Sequence, residues 1–330
     1  NNKKIAVILP NLENGGAERS HIYIANEWLS LNYDVTFILM NKKGTLLNNL
    51  NKNIKIIDIK KDRLRSIVLP LSIIFLKNKF DVILAPMWPI TVISTISWIL
   101  SFASSKLYLV DHNPMIKEWA QGFKINWLLV RISIKITYKL VNGVICVSKG
   151  IENNIRNIVS LKKNKLKVIY NPVTNDPNKY EKNIQLRENL FGNSKYCIVS
   201  IGSLKKSKDY ITLIKAADIL KSKKLDFKLL IIGDGEEKES LNNLIETLQL
   251  ESNVNLLGHV NDPFPYLLNS DLYVNSSIYD GMPLSLIEAL ISGTKIVSTD
   301  CESGPREILK NGELGKLVPI KNYNKIAAEI

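Results

Sequence analysis

The residues best placed to do chemistry lie in Tyr279–Gly293, YDGMPLSLIEALISG. Gly281 breaks the chain, Pro283 suits a first helical turn and Gly293 is placed to end the helix. Ser285 and Glu288 interrupt an otherwise apolar run from Leu284 to Ile291. A carboxylate on so apolar a helix needs a partner, because burying it alone costs roughly several kcal/mol. The start of the helix offers N–H groups around Leu284 and Ser285 with no carbonyl to bond, which suits a phosphate. One short element can therefore hold a diphosphate at its tip and a ribose diol on Glu288 one turn further in. The plainer alternative is a core helix with one edge carboxylate.

Three other stretches carry reactive side chains at the ends of strand-like runs. In NLENGGAERS (Asn11–Ser20), Gly15 and Gly16 let backbone approach a ligand where a helix begins, or simply make a tight turn. The pattern is not the GxGxxG of dinucleotide-binding folds. In IGSLKKSKDY (Ile201–Tyr210), Lys205, Lys206 and Lys208 by themselves read as a solvated loop. His112 closes the run LVDHNP and His259 lies in GHV; lone histidines are more often structural than catalytic. Cys146, Cys197 and Cys301 are far apart, without metal-binding or CxxC spacing, and fit burial in a reducing compartment. No paired carboxylates bracket a metal site, and no Ser/His/Asp set stands out.

The elements that must position these residues repeat one theme. Apolar runs at Lys4–Pro10, Tyr33–Met40, Ile54–Ile59, Asp81–Pro86, Lys106–His112, Gly143–Ser148 and Lys167–Val173 read as strands, with a helix over Ala17–Leu31. After a polar stretch, Asn171 to Asn183, the theme restarts with strands at Cys197–Ser203, Lys228–Gly235, Val254–Val260, Leu272–Ser277, Lys295–Asp300 and Gly315–Ile320. Helices over Tyr210–Lys221, Glu236–Gln249 and Pro283–Ser292 fill gaps between them. Near-continuous apolar strands separated by helices mean parallel sheets covered on both faces. The expected fold is two tandem doubly wound α/β domains, residues 1–173 and 174–330, facing each other across a cleft. Val82–Ser105 carries no charge and is long enough to cross a bilayer. Pro86 and Pro89 divide it, so it reads as a strand followed by a buried helix of about fourteen residues. NNKKIAVILP lacks the long apolar core of a signal peptide. The chain stops in a helix-like run, IAAEI, so a further terminal segment is expected.

SSIYDGMPLSLIEALISGTKIVSTDCESGPREIL resembles the donor-site signature of the retaining glycosyltransferases of family 4, which have the GT-B fold. That family's signature is Glu-x7-Glu, and here the spacing is kept as Asp280-x7-Glu288. The resemblance implies that Glu288 holds the nucleotide ribose and that Asp280, one methylene shorter, lies near the transferred sugar. GGAER at Gly15–Arg19 is similar to the family's GGxER loop, which places Gly15, Gly16, Glu18 and Arg19 on the acceptor side, with Gly16 also near the donor. Gly202-Ser203-Leu204 followed by Lys208 is similar to Gly-Arg-Leu plus Lys; Lys208 is then the diphosphate's cation, and Ser203 replaces an arginine whose charge Lys205 or Lys206 can supply. His112 corresponds to a histidine beside the donor sugar. By the same resemblance Gly258, His259 and Val260 lie near the base, Gly281, Met282, Pro283, Leu284 and Ser285 near the diphosphate. Gly233-Asp234-Gly235 and Gly304–Glu307 are expected to line the donor pocket. His112, Lys208, Asp280 and Glu288 are the implied catalytic set, with no metal and no cofactor.

The implied activity is that of a metal-independent hexosyltransferase that retains anomeric configuration, with the departing diphosphate helping to deprotonate the acceptor. UDP is the implied nucleotide, as UDP-hexose or UDP-N-acetylhexosamine, and a lipid-linked glycan or polysaccharide the acceptor, as in polysaccharide, lipopolysaccharide or capsule biosynthesis. A nucleotide-sugar epimerase of the same fold, or a non-catalytic homologue, is the alternative. Charge bears on the acceptor. Residues 1–173 hold 25 Lys and Arg against 10 Asp and Glu, whereas residues 174–330 hold 19 against 21. A basic first half suits anionic lipid or a lipid diphosphate. Lys60–Lys79 sets basic residues around an apolar run, and Trp119 and Trp127 flank a helix bearing Lys124, Arg131, Lys135 and Lys139. Basic residues interleaved with aromatics in a recognised module are lacking, which disfavours nucleic acid. The expectation is a cytoplasmic protein peripheral on the inner face of the cell membrane.

Overall fold

The computed structural model describes residues 2–13, 15–115, 126–173 and 179–330. It divides into two compact units, Asn1–Pro172 and Val173–Ile330, each built around its own parallel sheet.

In the first unit the elements run β1 (Lys4–Leu9), α1 (Gly16–Ser30), β2 (Asp34–Leu39), β3 (Lys55–Asp58), α2 (Val68–Asn78), β4 (Val82–Pro86), α3 (Ile90–Ser101), β5 (Lys106–Asp111), α4 (Trp127–Leu140), β6 (Gly143–Cys146), α5 (Lys149–Ile158) and β7 (Leu166–Val168). Among the described residues the sheet has seven strands in the order β3-β2-β1-β4-β5-β6-β7. Strands such as IAVIL and VTFIL are buried residue after residue, as a sheet covered on both faces requires. The expected strand over Lys167–Val173 is only Leu166–Val168, because β6, its neighbour at the edge of the sheet among the described residues, offers a short ladder.

The second unit runs α6 (Ile184–Phe191), β8 (Tyr196–Ile201), α7 (Tyr210–Ser222), β9 (Phe227–Ile232), α8 (Lys238–Thr247), β10 (Val254–Gly258), α9 (Phe264–Leu268), β11 (Leu272–Asn275), α10 (Leu284–Ile291), β12 (Lys295–Thr299), α11 (Pro305–Ile308), β13 (Lys316–Val318) and α12 (Tyr323–Glu329). Its six-stranded sheet has the order β10-β9-β8-β11-β12-β13. The end of the polar stretch between the units belongs to this one. Tyr180 Oη donates to Asp262 at 2.7 Å and its ring packs on Phe264, while Asn183 caps α6.

Each sheet reverses its winding once, at β1/β4 and at β8/β11. Loops leaving the carboxyl ends of such a neighbouring pair diverge and open a crevice between them. Right-handed crossovers then put α1 on one face of the first sheet and α2, α3 and α4 on the other. The charge-free stretch forms β4 and α3, but α3 is not a buried helix: it turns Ile96, Ile99 and Leu100 outward. All three cysteines are buried free thiols, and burial pushes those of Cys197 and Cys301 up to about 11 and about 12.

Candidate active site

At the β8/β11 switch point Lys208, Asp280 and the first turn of α10, all expected on the donor side, come together. β8 ends at Ile201, and Gly202 and Ser203 lead into a tight turn over Lys206–Lys208 that carries Lys208 back toward β11. β11 ends at Asn275, and Ser276 to Asp280 lead into α10. Lys208 Nζ lies 2.5 Å from Asp280 Oδ2, with both side chains largely buried. The pair is fixed from several sides: Ser277 Oγ is 3.2 Å from Asp280 Oδ2, and the Gly281 N–H donates to Asp280 Oδ1 at 3.1 Å. Ser276 Oγ donates to the Lys208 carbonyl at 2.7 Å, and Ile278 N–H to the Ser207 carbonyl at 2.8 Å. Lys205 and Lys206 project into solvent instead, and Ser203 is half-buried.

Two glycines let the loops pack. Gly233 has φ +147°, and a Cβ there would lie 1.9 Å from the Gly202 carbonyl oxygen. Its N–H donates to the Gly258 carbonyl at 2.8 Å, which ties the ends of β9 and β10 together beside β8. Gly304 has φ +84° and would press a Cβ to 2.8 Å from the Gly281 carbonyl oxygen and Pro283 Cδ. Within the Gly304–Glu307 run, Arg306 is ion-paired with Asp300 and Ser303 Oγ donates to the Asp280 carbonyl. Gly235 leans on the Leu204 carbonyl, so Gly233-Asp234-Gly235 braces the Ser203–Leu204 turn. Gly258 is buried, Val260 half-buried and His259 exposed.

The helix α10 points its first turn at the same crevice. Gly281, Pro283 and Leu284 are buried and Met282 is half-buried. The Ser285 hydroxyl is used within the protein: it lies 2.8 Å from Tyr273 Oη and donates to the Ile201 carbonyl at 3.0 Å. That anchors the helix to the end of β8 and leaves backbone N–H groups as what the tip presents to an anion. One turn on, Glu288 is 2% exposed and its Oε2 is enclosed without a hydrogen bond.

In the first unit the Gly15–Arg19 loop follows β1. Gly15 is the residue before α1, and a Cβ there would lie 1.8 Å from Glu18 Oε2. Glu18 is folded back over the helix start, where a carboxylate is favoured. Arg19 Nη2 donates to Tyr23 Oη at 3.2 Å. His112, just beyond β5, is buried with its ring 5.1 Å from that of His21 on α1. Burial first, then His21, holds the His112 imidazole well below its usual range, and burial brings His21 down to about 4. Both rings are therefore neutral at pH 7. His21 Nδ1 donates to the Ala17 carbonyl at 2.8 Å, and His112 Nε2 has no partner. Beside them, burial raises Asp111 to about 7 while Tyr138 Oη donates to its Oδ1 at 2.8 Å.

Sequence reasoning missed His21, Ser277 and Tyr273. Nothing in their spacing marks them; each matters through a neighbour distant in the chain. Trp119 and Lys124 lie outside the described residues, and α4 starts at Trp127 with Asn126 as its cap.

The family model described as Glycosyltransferase Family 4 matches residues 14–176, and that of Glycosyl transferases group 1 matches residues 181–330. Over 98% of this chain and 88% of the relative, 29% of residues are identical to the N-acetylgalactosamine-N,N'-diacetylbacillosaminyl-diphospho-undecaprenol 4-alpha-N-acetylgalactosaminyltransferase of Campylobacter jejuni. An uncharacterized glycosyltransferase of Methanocaldococcus jannaschii is 33% identical over 62% of this chain and 51% of its own. Among solved structures, Anabaena HepE in complex with UDP and glucose is 20% identical with a TM-score of 0.82, covering 99% of this chain and 88% of that one. The chain belongs to the family 4 glycosyltransferases and has their GT-B fold of two Rossmann-like domains.

Proposed function

We propose that this enzyme transfers a hexose or N-acetylhexosamine from a UDP-sugar to a lipid-linked or polymeric glycan acceptor with retention of configuration. The observation that carries the reading is the Lys208–Asp280 pair at the β8/β11 switch point, beside the first turn of α10. A diphosphate placed there meets one ammonium and a row of backbone N–H groups. These oppose the charge that grows on the leaving group as the glycosidic bond breaks, the work a divalent ion does in other transferases. The leaving phosphate is then the base nearest the acceptor hydroxyl. Asp280, held by Ser277 and the Gly281 N–H, accepts from hydroxyls of the transferred sugar. Glu288, one turn along α10, takes the ribose diol. His112, neutral at pH 7, serves as a hydrogen-bonding group toward the sugar rather than as an acid.

The relatives support the chemistry by class. The Campylobacter jejuni relative is named for an acceptor on diphospho-undecaprenol, and a Staphylococcus aureus one for poly(ribitol-phosphate). HepE was solved with UDP and glucose. An acceptor carried on a lipid diphosphate accounts for the basic first half of the sequence and places the enzyme at the cytoplasmic face of the membrane. The test is a transfer assay with a panel of UDP-sugars and undecaprenyl-diphosphate glycans, with and without chelator. An α-linked product from an α-linked donor, formed equally in chelator, is the expected result. An inverted product, an absolute need for a divalent ion, or epimerised sugar released without acceptor would each overturn the reading.

A further inference from the structure

In the layer formed by α2, α3 and α4 on one face of the first sheet, the middle helix α3 is built inside out, while α2 and α4 bury large side chains such as Phe75, Ile134 and Tyr138. In α3 the residues turned inward are small and hydroxylic: Thr91, Ser94, Thr95, Ser97 and Ser101 are buried, alongside Ile90. Thr95, Ser97 and Ser101 bond locally or to the adjacent helix, whereas Thr91 Oγ1 and Ser94 Oγ are enclosed without a hydrogen bond. Thr95 Oγ1 donates to the Thr91 carbonyl at 2.7 Å, and Ser97 Oγ to the Val68 carbonyl of α2 at 3.0 Å. The large side chains, Ile96, Ile99 and Leu100, face outward, and Phe102 at the helix end is 93% exposed. A helix in water shows the opposite arrangement. Small residues between helices with aliphatic residues outside is the pattern of helices whose solvent is hydrocarbon.

The neighbouring helices extend the same surface. α2 packs on α3, and α3 on α4. α2 exposes Leu69, Ile73 and Leu76, one stripe at helical spacing, and α4 exposes Leu128, Ile132, Ile136 and Leu140, another. A contiguous apolar face of this extent is not the ordinary scatter of surface apolar residues. The three helices contain no Asp or Glu, while Lys77, Arg131, Lys135 and Lys139 lie on them. Exposed Lys60, Lys61, Arg63 and Arg65 come just before α2.

We propose that the α2–α3–α4 face seats the protein on a bilayer containing anionic phospholipid, with its aliphatic side chains below the headgroups and its basic side chains among them. α3 is twelve residues long, roughly 18 Å, against a hydrocarbon core of about 30 Å. No helix among the described residues is long and apolar enough to cross a membrane. The face therefore rests in the bilayer surface. Charge alone does not account for it, because the outward residues of α3 are uncharged; attachment is mainly apolar, with the basic rim selecting anionic lipid. The proposal deepens the reading of a lipid-linked acceptor by naming the surface that brings the enzyme to it.

The experiment is co-sedimentation with mixed phosphatidylglycerol/phosphatidylcholine vesicles, comparing the wild type with a triple variant, Leu69→Glu, Ile99→Glu and Ile136→Glu. All three positions are exposed, so the fold tolerates the change. Ile320→Glu, at an exposed position of the second unit, is the control. The expected result is wild-type and control binding to vesicles, with the triple variant partitioning at least about tenfold less. The triple variant should keep the wild-type thermal shift with UDP, which separates this surface from the donor site. A wild type that ignores vesicles, or a triple variant that binds them equally well, would overturn the proposal. So would a wild-type dimer in solution that the three substitutions dissociate, which would assign the face to a second copy of the chain.

Discussion

The ammonium of Lys208 sits 2.5 Å from the carboxylate of Asp280, in a crevice where the first turn of α10 also presents its N–H groups. In the ligand-free protein each neutralises the other. A diphosphate entering the crevice competes with Asp280 for Lys208, and the two residues should respond to substitution in opposite directions. Lys208→Ala is expected to weaken UDP binding about ten- to a hundredfold and to lower kcat by about 10²–10³. Asp280→Asn frees the ammonium, so UDP should bind as tightly as to the wild type or several-fold tighter while transfer falls. Without its partner the largely buried ammonium also costs about 1–3 kcal/mol of stability, readable by urea denaturation.

A second prediction separates ribose contact from phosphate contact. Glu288 is enclosed one turn beyond the diphosphate tip, where the ribose hydroxyls would lie. Calorimetry with UDP and 2′-deoxy-UDP should show the wild type preferring UDP by about tenfold or more, the worth of a hydrogen bond to a charged group. Glu288→Gln should lose most of that preference. A variant that keeps it would remove Glu288 from the ribose.

The glycines offer a matched pair. Gly233 and Gly192 both have positive φ, but a Cβ at Gly233 would strike the Gly202 carbonyl oxygen, whereas at Gly192 it would meet nothing within 4 Å. Gly192→Ala should cost about 1–3 kcal/mol, the backbone penalty alone. Gly233→Ala should cost more than that and weaken UDP binding too, because it displaces the turn that leads to Lys208.

Much of this was legible in the sequence. The two sheets followed from runs such as IAVIL and LLII, because a strand buried on both faces admits little but apolar residues. The turn into α10 followed from Gly281 and Pro283, whose types are unusual for their places, and Glu288 stood out as a carboxylate on an apolar helix. What could not be read was pairing across the chain. Lys208 and Asp280 are 72 residues apart, and only the adjacency of β8 and β11 brings them together. His21 beside His112 depends likewise on α1 lying next to the end of β5. The inverted polarity of α3 was hidden for a different reason: ITVISTISWILS alternates Ser/Thr with aliphatic residues, and composition alone does not say which set faces the sheet.

The buried titratable groups under the first unit's site set a pH dependence whose sign can be worked out. His21 and His112 have folded pKa values below the ordinary 6.5, so unfolding takes up protons as pH falls below that value. Their contribution is fully present above pH 6.5 and is lost as pH falls below it, for His21 through about 4. Asp111 works the other way: raised to about 7, it holds a proton in the folded state that the unfolded chain releases above about 4. Two histidines outweigh one carboxyl, so from these groups stability should fall between pH 6.5 and 4 by about 1.4 kcal/mol per pH unit. Asp111→Asn, which keeps an acceptor for Tyr138, should roughly double that slope. His21→Phe should flatten it. Chemical denaturation across pH 4–7 reads both.

The central claim is that a nucleotide diphosphate is held in the second unit by Lys208 and the tip of α10 in place of a metal ion. Its most direct test is calorimetric titration of UDP in excess chelator, wild type against Lys208→Ala. The account requires wild-type affinity to be the same with chelator as with magnesium, and the variant to bind about ten- to a hundredfold more weakly under both conditions. Wild-type binding that vanishes in chelator, or a variant that binds UDP as well as the wild type, would contradict it.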